Sequence, residues 1–316
     1  MTGSEEAPLR GTGPSSMNRR KKQGALWISL CLVLFVIIGI LAAYLIGNKK
    51  ENVIQLDMAK SSAAYIFNHT IESDHLAIQH IQEERKNNKM FDNVWSKATK
   101  EMTMDPPSGL MKEHMFAVYA YTISNGSNFF RIFNEAMRQY GASDAIYAKN
   151  FKFIGFHYLL SVAMQTLNNI SHCARKTTYR GFTKLAEAQV GSEIRFGYFA
   201  SSSFSKKVAL KFTKNTTKTN TFLQIRSQFG VPIQNYSAVP DEQEVLIPPD
   251  EVFEVEQYIP WEYGINISLT AKRRNGPLVN LEMDKNGNLV AVHSEGATIL
   301  TLGRLWILAL LVPIWV

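Results

Sequence analysis

Between about Asn52 and Asn168, apolar residues recur at three- and four-residue spacing, the period of a helix with one buried face. FDNVWSKATKEM, HMFAVYAYTI, FFRIFNEAMRQYG and FKFIGFHYLLSVAMQTLNN each carry this pattern. MDPPSG, from Met104 to Gly109, interrupts it as a loop, and Gly141 stands where a helix would end after FNEAMRQY. From about Lys176 the texture changes to short β-rich runs: TTYRGF, SEIRFGYFASSSF, NTFLQIRSQFGVPI, QEVLIPP, VFEVEQYI and INISLTAKR. Gly, Pro, Asn and Asp punctuate them at strand spacing, and SFSKKVALKF inserts a helical segment. PLVNLEMDKNGNLVAVHSEG leaves two readings, a hairpin turning at Lys285, Asn286 and Gly287, or a stalk. The pattern predicts an α+β chain with a helical N-terminal half packed on a mostly antiparallel β half.

Both ends depart from this pattern. Residues 1–22 form a basic tail ending in Arg19, Arg20, Lys21 and Lys22, followed by an uncharged apolar run from Ala25 to Gly47. That run is long enough to span a bilayer and longer than an ordinary signal-peptide core. Residues 23–47 therefore read as an uncleaved signal anchor or, with Met17 as an alternative start, as a long cleaved signal peptide; both stand. At the other end residues 299–316 form an apolar tail, with Ser294, Gly296 and Ala297 upstream and Arg304 as the one interruption. Small residues, a spacer and a terminal apolar tail are the grammar of a glycosylphosphatidylinositol signal, the alternative being a buried terminal helix or strand.

Six N-x-S/T sequons, at Asn68, Asn125, Asn169, Asn215, Asn235 and Asn266, lie between the two ends and favour a secreted glycoprotein. Cys31 sits in the N-terminal span and Cys173 stands alone, so no disulfide framework is available within the ectodomain and Cys173 is either a buried free thiol or an intermolecular one. The formal charge of the 316 residues is +7, of which the first 22 supply +3 through five Arg/Lys against Glu5 and Glu6. The remainder is mildly basic, which suits an anionic small molecule and does not resemble a nucleic-acid surface.

The usual catalytic signatures are absent: no dinucleotide-binding glycine motif, no P-loop, no G-x-S-x-G, and no His/Cys set at metal-ligand spacing. The seven histidines are scattered, so no metal is expected and any chemistry falls to carboxylates, an arginine and hydroxyls. Three pieces supply those groups. Tyr179-Arg180-Gly181 offers a planar, permanently charged fork on a strand, with a glycine permitting close backbone approach. Phe199-Ala200-Ser201-Ser202-Ser203 runs an aromatic strand into hydroxyls, Ser201 and Ser203 falling on one face. In DEQEVLI, taken as extended, Glu242 and Glu244 share one face while Val245 and Ile247 turn to the core. Neighbouring carboxylates separate their pKa values, leaving one charged while the other handles a proton. Taken singly, each piece also reads as an exposed strand arginine, a polar strand end and a solvated acidic edge.

In order along the chain, these pieces resemble the vertebrate ecto-mono-ADP-ribosyltransferases with their arginine, serine and E-x-E signature. VYAYT, FFRIFNEAMRQYG, FKFIGFHYLLSVAMQTLNN, YRG, FGYFASSS, FGVPIQNYS and EVLIPP are similar to family segments in family order, from about Leu56 to Ser268. The resemblance implies a helical half on a split β-sandwich core that binds NAD; the expected ADP-ribosyltransferase domain takes residues 48–276, with 277–298 as the stalk of the second reading above. It implies that Arg180 grips the NAD phosphates and Ser201 orients the nicotinamide-ribose end. Glu244 would stabilise the oxocarbenium-like charge, Glu242 would engage the acceptor guanidinium, and Tyr121 and Ser237 would be further NAD contacts.

The expected function is transfer of ADP-ribose from NAD+ to arginine on extracellular or membrane proteins, from a membrane-attached position at the cell surface or in the secretory lumen. An NAD glycohydrolase and a catalytically silent surface glycoprotein are the alternatives. Two departures stand out: Cys173 lacks the paired cysteine usual in the family, and Tyr198 occupies a position often polar in relatives.

Overall fold

The computed structural model describes residues 32–42, 53–57, 63–124, 128–171 and 176–294. The chain divides into two units at residue 53. Of the first, helix α1 (residues 32–42) is described, with every side chain exposed. Among the described residues no helix is long and apolar enough to cross a membrane. The basic tail, most of the expected segment 23–47, the tail 299–316, Cys31, Cys173 and the sequon at Asn125 lie outside the described residues.

In the second unit, two short strands come first. β1 (Val53–Gln55, its last two residues in this unit) pairs with β4 (Leu185–Glu187), and β2 is Ile66–Phe67. Six helices follow: α2 (Ile71–Asn87), α3 (Lys89–Glu101), α4 (Lys112–Thr122), α5 (Phe129–Tyr140), α6 (Asp144–Asn150) and α7 (Ile154–Ser171). The starts of α2, α3 and α6 are set by polar side chains that accept otherwise unsatisfied backbone N–H groups. Thr70 caps α2 through Ser73 N at 3.0 Å, and Asn88 caps α3 through Phe91 N at 2.9 Å. The first turn of α7 is closed by a distant group, the buried carboxylate of Glu84, which accepts from Gly155 N at 2.7 Å and Phe156 N at 3.3 Å. The apolar faces of these helices meet in an aromatic core, where the rings of Phe129 and Phe133 each lie 4.9 Å from that of Phe156.

The β half is an eight-stranded sheet in the order β5-β10-β11-β7-β3-β6-β9-β8. Its strands are β3 (Thr177–Phe182), β5 (Glu193–Arg195), β6 (Ala200–Ser203), β7 (Asn220–Arg226), β8 (Val231–Pro232), β9 (Glu244–Ile247), β10 (Glu251–Trp261) and β11 (Gly264–Arg274). All of its pairs are antiparallel except β11 with β7. A second apolar core, with Phe253, Val255, Leu223, Ile225 and Ile267 at its centre, belongs to this sheet. Helix α8 (Lys206–Leu210) follows β6, as SFSKKVALKF predicts.

Of the two readings of the C-terminal segment, the hairpin is the one that forms. β12 (Leu278–Met283) and β13 (Leu289–His293) pair antiparallel, and β2 adds parallel to β12. The segment is not a stalk, because Val279, Leu281 and Leu289 are buried in the helical core and complete its apolar surface.

Candidate active site

Sheet order brings together what the sequence scatters. β3, β6 and β9 are consecutive neighbours, so Arg180, Ser201 and Glu244 come from three adjacent strands. The register sets Ser201 opposite Leu246 and Ser203 opposite Glu244. Together with α4, α5 and α8 these strands surround a cavity of about 1310 Å3, lined by Tyr121, Asn134, Tyr198, Arg180, Ser201, Glu242 and Glu244 among others. Of the expected site residues, five line this cavity: Tyr121, Arg180, Ser201, Glu242 and Glu244.

Ser237 does not line it. Its hydroxyl accepts from Val239 N at 3.0 Å and shapes the turn that leads to the two glutamates. Thr122 anchors that turn from the helical side, its Oγ1 accepting from Ala238 N at 2.9 Å.

The expectation of an extended DEQEVLI needs correction. Pro240–Glu242 is a 3-10 turn, Gln243 follows with φ 47° and ψ 46°, and β9 begins only at Glu244. Glu242 and Glu244 therefore share the cavity through a left-handed residue between them, and strand alternation plays no part. Proline preorganises the turn, and the left-handed conformation of a non-glycine residue costs about 1 kcal/mol that surrounding contacts offset. Those contacts include Ser203 Oγ donating to Glu242 O at 2.7 Å and Phe204 N donating to Gln243 O at 3.3 Å. Along β9, all four residues are buried, so Leu246 as well as Val245 and Ile247 enters the interior.

The two carboxyls differ in environment. Burial pushes Glu244 up to about 7, reinforced by the charge of Glu242 and opposed by a hydrogen bond from Ser201 and by the Arg180 guanidinium. Glu242 is half-buried and also raised, by partial burial, with Lys211 pulling the other way. Burial and the nearby Glu244 raise the Tyr121 phenol, so it stays a neutral donor. Tyr121 donates to the Phe199 carbonyl at 2.6 Å, which ties α4 to the end of β6.

Arg180 is held by its own strand neighbour, one terminal nitrogen donating to the Ser201 carbonyl. Its Nε is buried without a hydrogen-bond partner, as is Asn134 Oδ1 on the same cavity. Buried polar atoms without a partner are uncommon, and both of these belong to residues that line the cavity. Two guanidinium groups lie near the Tyr198 ring, that of Arg138 at 4.7 Å and that of Arg180 at 6.0 Å from its centroid. Asn134 donates to Tyr121 Oη at 2.9 Å and Phe199 O at 3.1 Å and so organises the back of the cavity. Sequence reasoning missed Asn134; the available signal was a polar residue on the apolar face of FFRIFNEAM. It also missed Phe212, an exposed aromatic on the cavity wall.

One histidine and carboxylate group, His69, Asp74 and His114, has its ligand atoms within 4.8 Å of one another, and none of its members lines the cavity. His114 Nδ1 accepts from Met111 N at 3.0 Å, so the neutral ring carries its proton on Nε2, 3.2 Å from Asp74 Oδ1. That tautomer leaves no Nε2 lone pair for a metal.

Comparison with known proteins gives this geometry a context. Residues 56–276 match the family model described as ART: NAD:arginine ADP-ribosyltransferase. Ecto-ADP-ribosyltransferase 5 of Rattus norvegicus is 36% identical over 165 residues, 51% of this chain and 51% of its own length. The erythroblast NAD(P)(+)--arginine ADP-ribosyltransferase of Gallus gallus is 34% identical over 216 residues, 66% of this chain and 69% of its own. The chain thus spans about half the length of several of the curated relatives it matches. Among solved structures, the eucaryotic mono-ADP-ribosyltransferase ART2.2 superposes with a TM-score of 0.60 at 28% identity, covering 72% of this chain and 98% of that one. A mutant of ART2.2 solved in complex with NADH superposes with a TM-score of 0.59 at 28% identity. The match of a family model over most of the chain, on a fold that sets Arg180, Ser201 and Glu244 on three adjacent strands, shows that the chain belongs to the NAD:arginine ADP-ribosyltransferase family.

Proposed function

We infer that the chain is an NAD-dependent mono-ADP-ribosyltransferase that moves ADP-ribose from NAD+ to the guanidinium group of arginine. The observation that carries this reading is the sharing of one cavity by a buried carboxyl, a half-buried carboxyl, a hydroxyl and an arginine. Names of relatives support it, being those of NAD(P)(+)--arginine ADP-ribosyltransferases.

Arg180 grips the pyrophosphate, a role for which a planar fork with an unfilled Nε is suited. Ser201 holds Glu244 and orients the nicotinamide-ribose end. The glycosidic C–N bond breaks with its electron pair leaving on nicotinamide, which departs neutral. Glu244 stabilises the positive charge left on the sugar, an electrostatic contribution that needs the ionised carboxylate. A guanidinium nitrogen attacks the anomeric carbon and its proton passes to Glu242. An arginine is almost fully protonated at neutral pH, so a second carboxylate is needed for this acceptor. Tyr121 and Asn134 keep the cavity wall in place, and Ser237 acts through the turn that carries Glu242.

The finer proposals concern location. Ecto- and GPI-linked relatives support a protein attached to the cell surface and acting on arginine-bearing extracellular or membrane proteins. Residues 23–47 and 299–316 would supply the attachment. N-glycans would fall on exposed Asn215 and Asn235, while Asn68 is disfavoured because its amide already donates to Asn280 Oδ1 at 2.6 Å and Ser294 Oγ at 2.8 Å.

The test is transfer of labelled ADP-ribose from NAD+ to agmatine alongside release of nicotinamide. Glu244→Gln is expected to lower both at least about a hundredfold, while Glu242→Gln spares nicotinamide release more than transfer. Nicotinamide release by the folded wild type with no labelled agmatine would replace this reading with NAD hydrolysis.

A further inference from the structure

Between Glu193 and Asp241 the chain contains no acidic residue, while it contains seven lysines and arginines. Five of the seven, Lys206, Lys207, Lys211, Lys214 and Lys218, fall within the thirteen residues that run from α8 into the following loop. This lobe forms part of the rim of the cavity. Val208, Ala209 and Phe212 line the cavity, Phe212 is 53% exposed, and Lys211 is the charge felt by Glu242.

The lobe is built to hold its shape. Asn220, fully buried, accepts from Lys214 N at 2.8 Å and donates to the carbonyls of Lys214 at 2.8 Å and Thr217 at 2.9 Å. A single amide therefore pins the loop from beneath. Lys206 sits 5.7 Å over the Phe222 ring, and Phe222 stacks on Tyr179 at 5.9 Å, which ties the start of α8 to the sheet. Lys207, Lys214 and Lys218 remain exposed, and none of them enters an ion pair among the described residues. Unneutralised cations on a pinned loop that also carries an exposed aromatic form a surface suited to an anionic partner, since complementary charge speeds encounter and fixes orientation.

We propose that this lobe docks an acidic protein surface beside the arginine to be modified, so that the preferred acceptors carry Asp or Glu around their target. The occupant is an acidic acceptor protein because the lobe reaches the cavity through Val208, Ala209 and Phe212, and its Lys211 is the charge that acts on Glu242, the carboxyl assigned to the acceptor. The proposal rests on the transferase reading above.

The experiment measures binding by fluorescence anisotropy and transfer in parallel. The probes are synthetic peptides with one arginine flanked by glutamates, serines or lysines, and agmatine is the acceptor without flanks. The variant is Lys207→Glu/Lys214→Glu/Lys218→Glu, three positions outside the cavity lining, with its Tm compared with wild type. Wild type is expected to bind the glutamate peptide about tenfold more tightly than the serine peptide at low salt, and to lose that preference near 0.5 M salt. The variant is expected to lose the preference while its agmatine transfer and KM for NAD stay unchanged. Equal binding of all three peptides, or a preference retained in the variant, would overturn the proposal. So would a variant whose KM for NAD rises equally with every acceptor, which would assign the lysines to NAD's phosphates. Absence of agmatine transfer in wild type would count against the transferase reading alone, because the anisotropy measurement does not depend on turnover.

Discussion

Ser203 Oγ donates to the Glu242 carbonyl at 2.7 Å while accepting from Ser205 N at 2.9 Å. One hydroxyl thus ties the turn that carries Glu242 to the end of β6 and the start of α8. Ser203→Ala removes that tie without touching Glu244. The expected outcome is about a tenfold loss of transfer to agmatine, or ~1.4 kcal/mol at the transition state, with nicotinamide release changed less than about threefold. Parallel assays of the two products decide it, and equal losses would mean that the turn serves both half-reactions.

The buried Glu244 should appear in the pH profile. Its carboxyl is raised to about 7, chiefly by burial, so in the free enzyme it is protonated below that value and charged above it. With the role proposed for Glu244, which requires the charged form, kcat/KM for NAD is expected to climb about tenfold per pH unit below neutrality and to level above about pH 7.5. Ser201→Ala removes the hydrogen bond that favours the carboxylate, and should move the midpoint to higher pH. A profile flat from pH 5 to 8 would contradict both statements.

Stability should run the other way. Burial raises Glu84 to about 8 and Glu251 to about 7, so with Glu244 three carboxyls hold protons more tightly when folded than when unfolded. A raised folded pKa on an acid means that stability is greatest below the ordinary carboxylate value. It is lost as pH rises from about 4.5 towards 8, by at most ~1.4 kcal/mol per pH unit and group. Asp74, where hydrogen bonding to His114 and others outweighs burial, acts oppositely and only at more acidic pH. Buried His157, held neutral with its pKa lowered to about 3, acts oppositely below about pH 6.5, so thermal melts from pH 6.5 to 8.5 are expected to show a falling Tm, with a shallower fall in Glu84→Gln.

Gly181 supplies a purely steric test. A Cβ there would lie 2.4 Å from the Ala209 carbonyl oxygen and 2.8 Å from Thr213 Cγ2, so α8 packs on β3 only because the side chain is absent. Gly181→Ala is expected to destabilise by about 1–3 kcal/mol and, by displacing the Phe212 wall next to Arg180, to raise KM for NAD. Denaturant melts and NAD kinetics would check it, and an unchanged Tm with normal kinetics would show that the helix shifts freely.

Much of this protein was legible in the order of its residues. The helices α3, α4, α5 and α7 follow from period alone, as do the main strands, because each buries a continuous apolar face whose spacing is a local property. Helix α2 is less legible, its buried Ala77 and Ile81 standing among charges and its Glu84 spent on capping another helix. The residue types of the site could also be read: an arginine before glycine, clustered serines and paired acids.

What the sequence could not decide was set by distance in space. Arg180, Ser201 and Glu244 meet because β3, β6 and β9 are neighbours, and strand order is fixed by long-range pairing that no local pattern encodes. The turn at Gln243 is a further instance: period two predicted one extended face, but the ties from Ser203 and Phe204 offset the cost of a left-handed residue and set Glu242 beside Glu244 by another route. The unequal burial of the two glutamates, and with it the rise of Glu244 to about 7, exists only once both cores have closed around β9.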